Sequence, residues 1–489
     1  MKVVQTLWSG NKRLQEDAFG WLSPQHHLMS WALSCLSLKE HYQDITLYSD
    51  SQAAHILIDK IGLPYSEVVV AYDNFKCLPI HWALAKVKTY SMQERPFLHV
   101  DGDIYLPRPL PKRIEKSRLA AQNREYGTSY YKRMMDRLLA CTEIRIPDYL
   151  EQGLREESVS SYNMGFFGGK DLDFIRHYCE EVFKFFEENY MNDPTCSNSA
   201  ISCNVIFEQV FFAVMADKEN RKVTTVLQRA MRDEGYTGKE FCDIAHFNRH
   251  RFFHLLGGHK SSKTNCRNLE LILLRKYPET YERITNLFRT TKTYTAYLSL
   301  KYNNSSGYNE FAQQTKAIFS RLNPRIILRQ EQQTARYYDF LETSPKQRKS
   351  MTLKRNPHLQ IYSLDEKEKQ SIKNTNILYG NDIRSYSDIA ITPTLFGNGI
   401  KETPIDDATH NMIALADGTR NIAAIKQEFR KLFSSPLRKQ GAKINVCFHN
   451  AVHYLLFHGI VTIAGWERDD ATENRGSDNA VSQKSRIFV

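Results

Sequence analysis

Two carboxylates separated by one glycine, Asp101-Gly102-Asp103, end the apolar run Phe97-Leu98-His99-Val100. Acids at that spacing can reach one hard divalent cation together, and the glycine lets backbone pass close to a phosphate. Far downstream, His254-Leu255-Leu256-Gly257-Gly258-His259-Lys260 offers a second group. Its histidine can join an oxygen-rich metal shell, and across a glycine turn its lysine can neutralise a diphosphate. Asp101, Asp103 and His254 therefore read as ligands for Mn2+ or Mg2+, with Gly257 and Lys260 on the phosphates. A leaving diphosphate gathers negative charge as its bond breaks, so a cation and a lysine fixed there stabilise the transition state more than the ground state.

Further candidates surround these two motifs. Glu208 interrupts the apolar helical run 204–212, where a carboxylate has a raised pKa and can act as a base toward an acceptor hydroxyl or hold a sugar; it can equally pair with a cation. Asn163 and Gln122-Asn123 carry amides, which suit sugar hydroxyls and also cap loops. Trp8 and Tyr72 follow strand-like runs and can stack on a nucleobase, while for Trp8 a place in the core fits as well.

The elements that must position these residues alternate. Strand-like runs at 3–7, 45–48, 68–71 and 97–100 are separated by helical patterns at 28–38, from 51, and at 82–90, the mark of a parallel sheet with crossover helices. In such sheets a ligand lies beyond the carboxyl ends of the strands, where Trp8-Ser9, Ser49-Asp50, Tyr72-Asp73 and Asp101-Gly102-Asp103 fall. Residues 163–169 read as a glycine-rich loop, followed by helices near 171–189 and 204–216. Residues 267–345 read as helices, 344–360 as a polar basic stretch, and 467–489 as a disordered charged tail.

The layout resembles the GT-A class of glycosyltransferases, and DxD with HxxGxxK is similar to the retaining enzymes of glycosyltransferase family eight. That resemblance implies that Asp101, Asp103 and His254 hold manganese and that Lys260 touches the diphosphate. It also implies that Lys86 lies where those enzymes place a basic donor-binding residue, and that 163–169 lines the acceptor side. The chain departs from the family in having DGD rather than DAD and no Pro-Trp after Lys260. More closely, WSG, SWALSCLSL, LYSD, LPY, WALAKVKTYSMQERPFLHVDGD and AAQNRE resemble an uncharacterised family of bacterial GT-A-like proteins over residues 1–260.

Residues 408–464 read as helix, turn, helix, helix and strand, a small winged-helix pattern with Thr419 as a helix N-cap and Gly459 as a stop. ALADGTRNIAAIKQEF and VHYLLFHGIV resemble the peptide-binding chaperone of pyrroloquinoline-quinone biosynthesis, a PqqD-like recognition element. That resemblance implies capture of a leader peptide as an added strand. A helix-turn-helix of this composition can also bind DNA.

At 489 residues the chain calls for more than one core, and 42% hydrophobic, 12% aromatic and 25% charged content is that of a globular protein. Nine cysteines form no CxxC pair, which argues against a zinc knuckle or a disulfide framework. The formal charge of +11 concentrates in 321–355, where nine Lys or Arg face three acids; such a stretch suits an anionic partner or a solvated helical face. No signal-peptide core and no membrane-length apolar run occurs, and the expected location is the cytoplasm.

The expectation is thus an α/β protein with a GT-A-like, mixed, mainly parallel sheet. It comprises a nucleotide-sugar-binding glycosyltransferase domain (1–266), a helical bridge and basic linker (267–375), a winged-helix peptide-recognition domain (376–466) and a tail (467–489). The expected activity moves sugar from a nucleotide-diphospho-sugar, a UDP-sugar first, to a ribosomally made precursor peptide, as in the maturation of such peptides; no stable nucleic-acid partner is expected. A capsular or surface glycan as acceptor, or a non-catalytic DNA-binding or scaffold role, stands as the alternative.

Overall fold

A computed structural model describes residues 1–127, 129–156, 159–232, 236–288, 306–371, 386–395, 399–433, 441–466 and 486–488. The chain divides into two compact units, Met1–Ser261 with Gln483–Val489, and Ser262–Ser482.

The first unit is built on a mixed sheet. Its strands are β1 (Lys2–Leu7), β2 (Ile45–Ser49), β3 (Glu67–Val70), β4 (Phe97–Val100), β6 (Leu119–Tyr126), β7 (Ser160–Gly169) and β8 (Val223–Thr225); a short pair, β5 (Ile104–Tyr105) and β9 (Phe253–His254), stands apart. The order runs β3-β2-β1-β4-β7-β6-β8. The first four strands are parallel, β7 runs antiparallel to both β4 and β6, and β8 is parallel to β6. β2 and β4 are buried along their whole length, which is why both read as continuous apolar runs rather than alternating ones. The sheet's other edge is not where the sequence suggests: Arg486–Phe488, within the expected disordered tail, pairs in parallel with β3. The rest of that tail, 467–485, lies outside the described residues.

The helix Pro24–Lys39 starts at an N-cap Ser23, whose side chain accepts from the His26 N–H, with Pro24 at the first turn. It is buried nearly all round, as a helix between a sheet and a covering layer must be. The segment 163–169, read as a loop, is the second half of β7. Small residues there let aromatic neighbours close over the strand: Phe167 meets Phe212 edge-on at 5.0 Å and Tyr90 at 4.5 Å.

The second unit opens with helices Lys263–Lys276, Pro278–Phe288, Ser306–Phe319 and Pro324–Ala335. Two three-stranded antiparallel sheets follow. One orders Gln360–Ser363, Asp388–Pro393 and Ile400–Ile405. The other sets Thr352–Arg355 between Asp417–Asn421 and Val461–Ile463. Helices Asp407–Leu415, Ile422–Lys431 and Gly441–His458 complete the unit. Three expectations change here. The bridge and the carboxyl-terminal elements form one unit rather than two. The basic stretch supplies a central strand, and position 376, where a boundary is expected, lies outside the described residues. Asp417–Asn421 is a strand and not a turn, and the helix after it is capped by Asn421, which accepts from the Ala424 N–H, whereas the Thr419 hydroxyl donates to Asp417. Gly459 does end its helix, at φ 70°. Among the described residues no helix is long and apolar enough to cross a membrane.

Candidate metal centre

β4 delivers Asp101 to the end of the parallel strands, and a tight turn follows, closed by the Ile104 N–H on the Asp101 carbonyl at 3.1 Å. Helix Pro24–Lys39 grips this turn: Ser30 donates to the Gly102 carbonyl at 2.9 Å and Ser34 to the Asp101 carbonyl at 3.3 Å. The Trp31 indole lies flat against Gly102, so a Cβ there would stand 2.4 Å from the ring. Only glycine fits. The turn then enters β5, whose register with β9 sets Ile104 opposite His254. Strand pairing, not sequence proximity, brings the histidine to the acids.

The ligand atoms of Asp101, Asp103 and His254 all lie within 4.8 Å of one another, the one such His/Cys/Asp/Glu group among the described residues. The Asp101 and Asp103 side chains keep 24% and 13% of their surface open, so a cation has a way in. His254 Nε2 faces Asp103 Oδ1 at 3.4 Å, yet that buried oxygen accepts no hydrogen bond. A buried carboxylate oxygen without a donor is costly unless a cation satisfies it. Two carboxylates and an imidazole form a donor set that suits Mn2+ or Mg2+. The residues fit a divalent cation.

The electrostatics divide the two acids. Burial raises the Asp101 carboxyl; Lys86 opposes and Asp103 adds to the rise. Burial works on Asp103 too, but the Lys260 ammonium and His254 outweigh it and hold that carboxyl well below the usual range. Lys260 pairs with Asp103 Oδ2. Gly257, at φ 50° and exposed, makes the bend between His254 and Lys260.

Lys86 is not on the open side of the site. Its ammonium is buried between Asp101 Oδ1 at 2.8 Å and Glu208 Oε1 at 2.6 Å. Burial disfavours that charge, yet the two carboxylates raise its pKa above the ordinary value. Lys86 thus serves as a shared counter-ion to the two acids. Glu208 is 1% exposed, sits on a π-helical turn, Ile206–Val210, and accepts from Tyr90 at 3.3 Å. Its carboxyl is raised by burial, against the pull of Lys86. It is held by Lys86 and Tyr90, the cation pairing that its place in an apolar helix also allowed.

Asn163 is buried and committed: its Oδ1 accepts from the Gly165 N–H at 3.0 Å and its Nδ2 donates to Tyr236 at 3.3 Å. It shapes the strand beside the site rather than presenting an amide to it. Tyr72 is 2% exposed, with its hydroxyl donating to the Ala85 carbonyl at 3.0 Å; no ring face is left for a base. Trp8, half-buried at the end of β1, meets Phe75 edge-on at 5.6 Å. Asp50 and Asp73, at the ends of neighbouring strands, are occupied by the Ser9 and Ser51 N–H groups at 2.6 and 2.7 Å.

Trp31 carries no signal of a role at this site in the sequence alone, and Gln122, an amide suited to sugar hydroxyls, is committed to the histidine. Gln122 Oε1 stands 2.7 Å from His254 Nδ1. A register shift between Ala121 and Asn123 on β6 turns both amides the same way. Such bulges recur beside functional sites, but a single sequence does not reveal them.

No curated protein matches the chain. A family model described as a family of unknown function (DUF6734) matches residues 1–287. That stretch spans more than half of the chain and contains every residue of the metal centre, and the protein belongs to this family.

Proposed function

We propose that this protein is a metal-dependent glycosyltransferase of the GT-A class that moves sugar from a nucleotide-diphospho-sugar to an acceptor, acting in the cytoplasm. One observation carries the reading: two carboxylates and a histidine converge at the carboxyl end of a parallel strand, with Lys260 on the outer acid. Ligands of open α/β sheets bind at that edge. Asp101, Asp103 and His254 would hold Mn2+ or Mg2+, which when bound supplies positive charge against the donor diphosphate. Lys260 would exchange Asp103 for the diphosphate and favour the departing nucleoside diphosphate. Glu208, through Lys86, keeps Asp101 in place. Trp8 is the remaining candidate for the nucleobase.

The acceptor we favour is a ribosomally made precursor peptide whose leader binds the second unit. The resemblance of 389–463 to a leader-binding element supports this, as do two three-stranded sheets with edge strands of the kind that strand addition uses. A second reading has an observation of its own. Lys426 and His449 titrate below their ordinary values, through partial burial first and then through Arg430, Lys349 and Arg348, and this concentration of positive charge suits an anionic partner such as duplex DNA.

Calorimetric titration with UDP and with GDP, with and without Mn2+, tests the donor site. Metal-dependent binding that disappears in an Asp101→Ala, Asp103→Ala variant is the expected result. No binding of either nucleotide would remove the transferase reading, and salt-sensitive DNA binding without nucleotide-sugar turnover would select the second.

A further inference from the structure

Gln122 is fully buried and has two ends with different partners. Its Nε2 donates to Asn123 Oδ1 at 3.1 Å, and its Oε1 meets His254 Nδ1 at 2.7 Å. The chain continues inward. Asn123 Nδ2 donates to the Tyr236 oxygen at 2.9 Å, Asn163 Nδ2 reaches the same oxygen, and Tyr236 hands its own proton to Glu125. Glu125 also accepts from Ser161 at 3.0 Å, and the Tyr131 hydroxyl lies between Glu125 and Gln209 Oε1.

This chain has a direction. Asn163 Oδ1 takes the Gly165 N–H, so its Nδ2 faces Tyr236; the Tyr236 oxygen, donating its own proton to Glu125, accepts the amide N–H groups of Asn123 and Asn163. Asn123 Oδ1 is then the acceptor for the Gln122 N–H, and the Gln122 oxygen is the end left over. An amide oxygen only accepts. His254 Nδ1 must therefore carry a proton, and in the neutral ring Nε2 keeps its lone pair on the side of Asp103. Metal-bound histidines commonly have their second nitrogen fixed in this way, which sets both tautomer and ring angle.

The backbone is built around the contact. The bulge on β6 lets neighbouring residues Gln122 and Asn123 hydrogen-bond side chain to side chain, which regular strand alternation forbids. Across from them, a Cβ on Gly165 would stand 2.5 Å from Gln122 Oε1 and 2.7 Å from His254 Nδ1. Glycine at that position leaves room for the bond.

We propose that Gln122 is a positioning residue that locks His254 in the Nδ1–H tautomer and aims its Nε2 lone pair at the cation held by Asp101 and Asp103. This rests on the metal reading above, but its central claim concerns the metal-free chain. The full-length protein, labelled with 15N-histidine and stripped of metal, is examined by NMR, with His254→Gln identifying the resonance. A single Nδ1–H tautomer is expected in the wild type; an Nε2–H tautomer would overturn the proposal whatever the metal does.

Mn2+ affinity, followed through the spectrum of free Mn2+, gives the second readout. Gln122→Leu should weaken binding by about 10–100-fold and mix the tautomers, while Gln122→Glu, which keeps an oxygen acceptor toward Nδ1, should keep the Nδ1 proton. A Leu variant with wild-type affinity and tautomer overturns the role. A wild type that binds no Mn2+ defeats the metal reading while the tautomer result still judges Gln122. Should the Leu variant not fold, the wild-type tautomer and the Glu variant decide.

Discussion

Lys86 stands 2.8 Å from Asp101 and 2.6 Å from Glu208, so Lys86→Met strands one buried and one partly buried negative charge at once. Breaking a buried ion pair by removing one partner costs about 3–5 kcal/mol, and that loss is expected at pH 7. The pH dependence has a definite sign. Burial already raises both carboxyls, with Lys86 the first influence against it; without Lys86 both rise further. A carboxyl raised in the folded state takes up its proton before the unfolded chain does. Stability in Lys86→Met should therefore increase as pH falls from 7 toward the unfolded carboxyl value of about 4.3. The double variant Lys86→Met, Glu208→Leu removes one stranded charge with its partner, and should recover about 2 kcal/mol relative to the sum of the single changes. Urea unfolding followed by tryptophan fluorescence reports on the right unit, since Trp8, Trp21, Trp31 and Trp82 lie in it and only Trp466 does not. A Lys86→Met loss below about 1 kcal/mol at pH 7, well under the range for a broken buried pair, would refute the counter-ion assignment. So would strict additivity in the cycle.

Three other outcomes follow from the same geometry. Gly102→Ala drives a methyl against the Trp31 indole; overpacking of this kind costs about 1–3 kcal/mol, and a displaced turn should lower Mn2+ affinity, so calorimetry showing undiminished binding would mean the turn yields freely. Mn2+ at about 100 times its Kd should stabilise the wild type by about 2.7 kcal/mol in thermal unfolding and leave Asp103→Ala unmoved; an equal shift in both would place the ion elsewhere. Burial, then the Lys260 charge, push the His27 imidazole down to about 3. The unfolded chain takes that proton and the folded chain does not, so this group removes about 1.4 kcal/mol of stability per pH unit as pH falls below about 6.5. His27→Gln should flatten the acid limb by one proton, and an unchanged slope would contradict it.

What the sequence made legible has a common physical origin. β4 reads as a strand because all four of its residues are buried, and the acids after it mark the strand's end whatever surrounds them. His254, Gly257 and Lys260 are spaced by local backbone geometry alone. The misread residues depend on partners far along the chain. Glu208 looks like a candidate base until Lys86, more than a hundred residues earlier, is found against it. Tyr72 looks like a platform at a strand end until its hydroxyl is found on Ala85 of helix Leu84–Ser91, with the side chain buried. Gln122 and Asn123 alternate in sequence but not in space, because a bulge depends on the partner strand's register. Thr352–Arg355 is hidden for a related reason: a four-residue strand with one fully buried side chain, Leu353, carries too little alternation to stand out from a basic run. Local pattern specifies which residues can do chemistry, and long-range pairing decides which of them are spent holding one another. At this site the pairing consumes Lys86, Glu208, Asn163 and Gln122. Asp103 Oδ1 is left buried with no hydrogen bond, and that unmet acceptor is the strongest physical reason to expect a cation there.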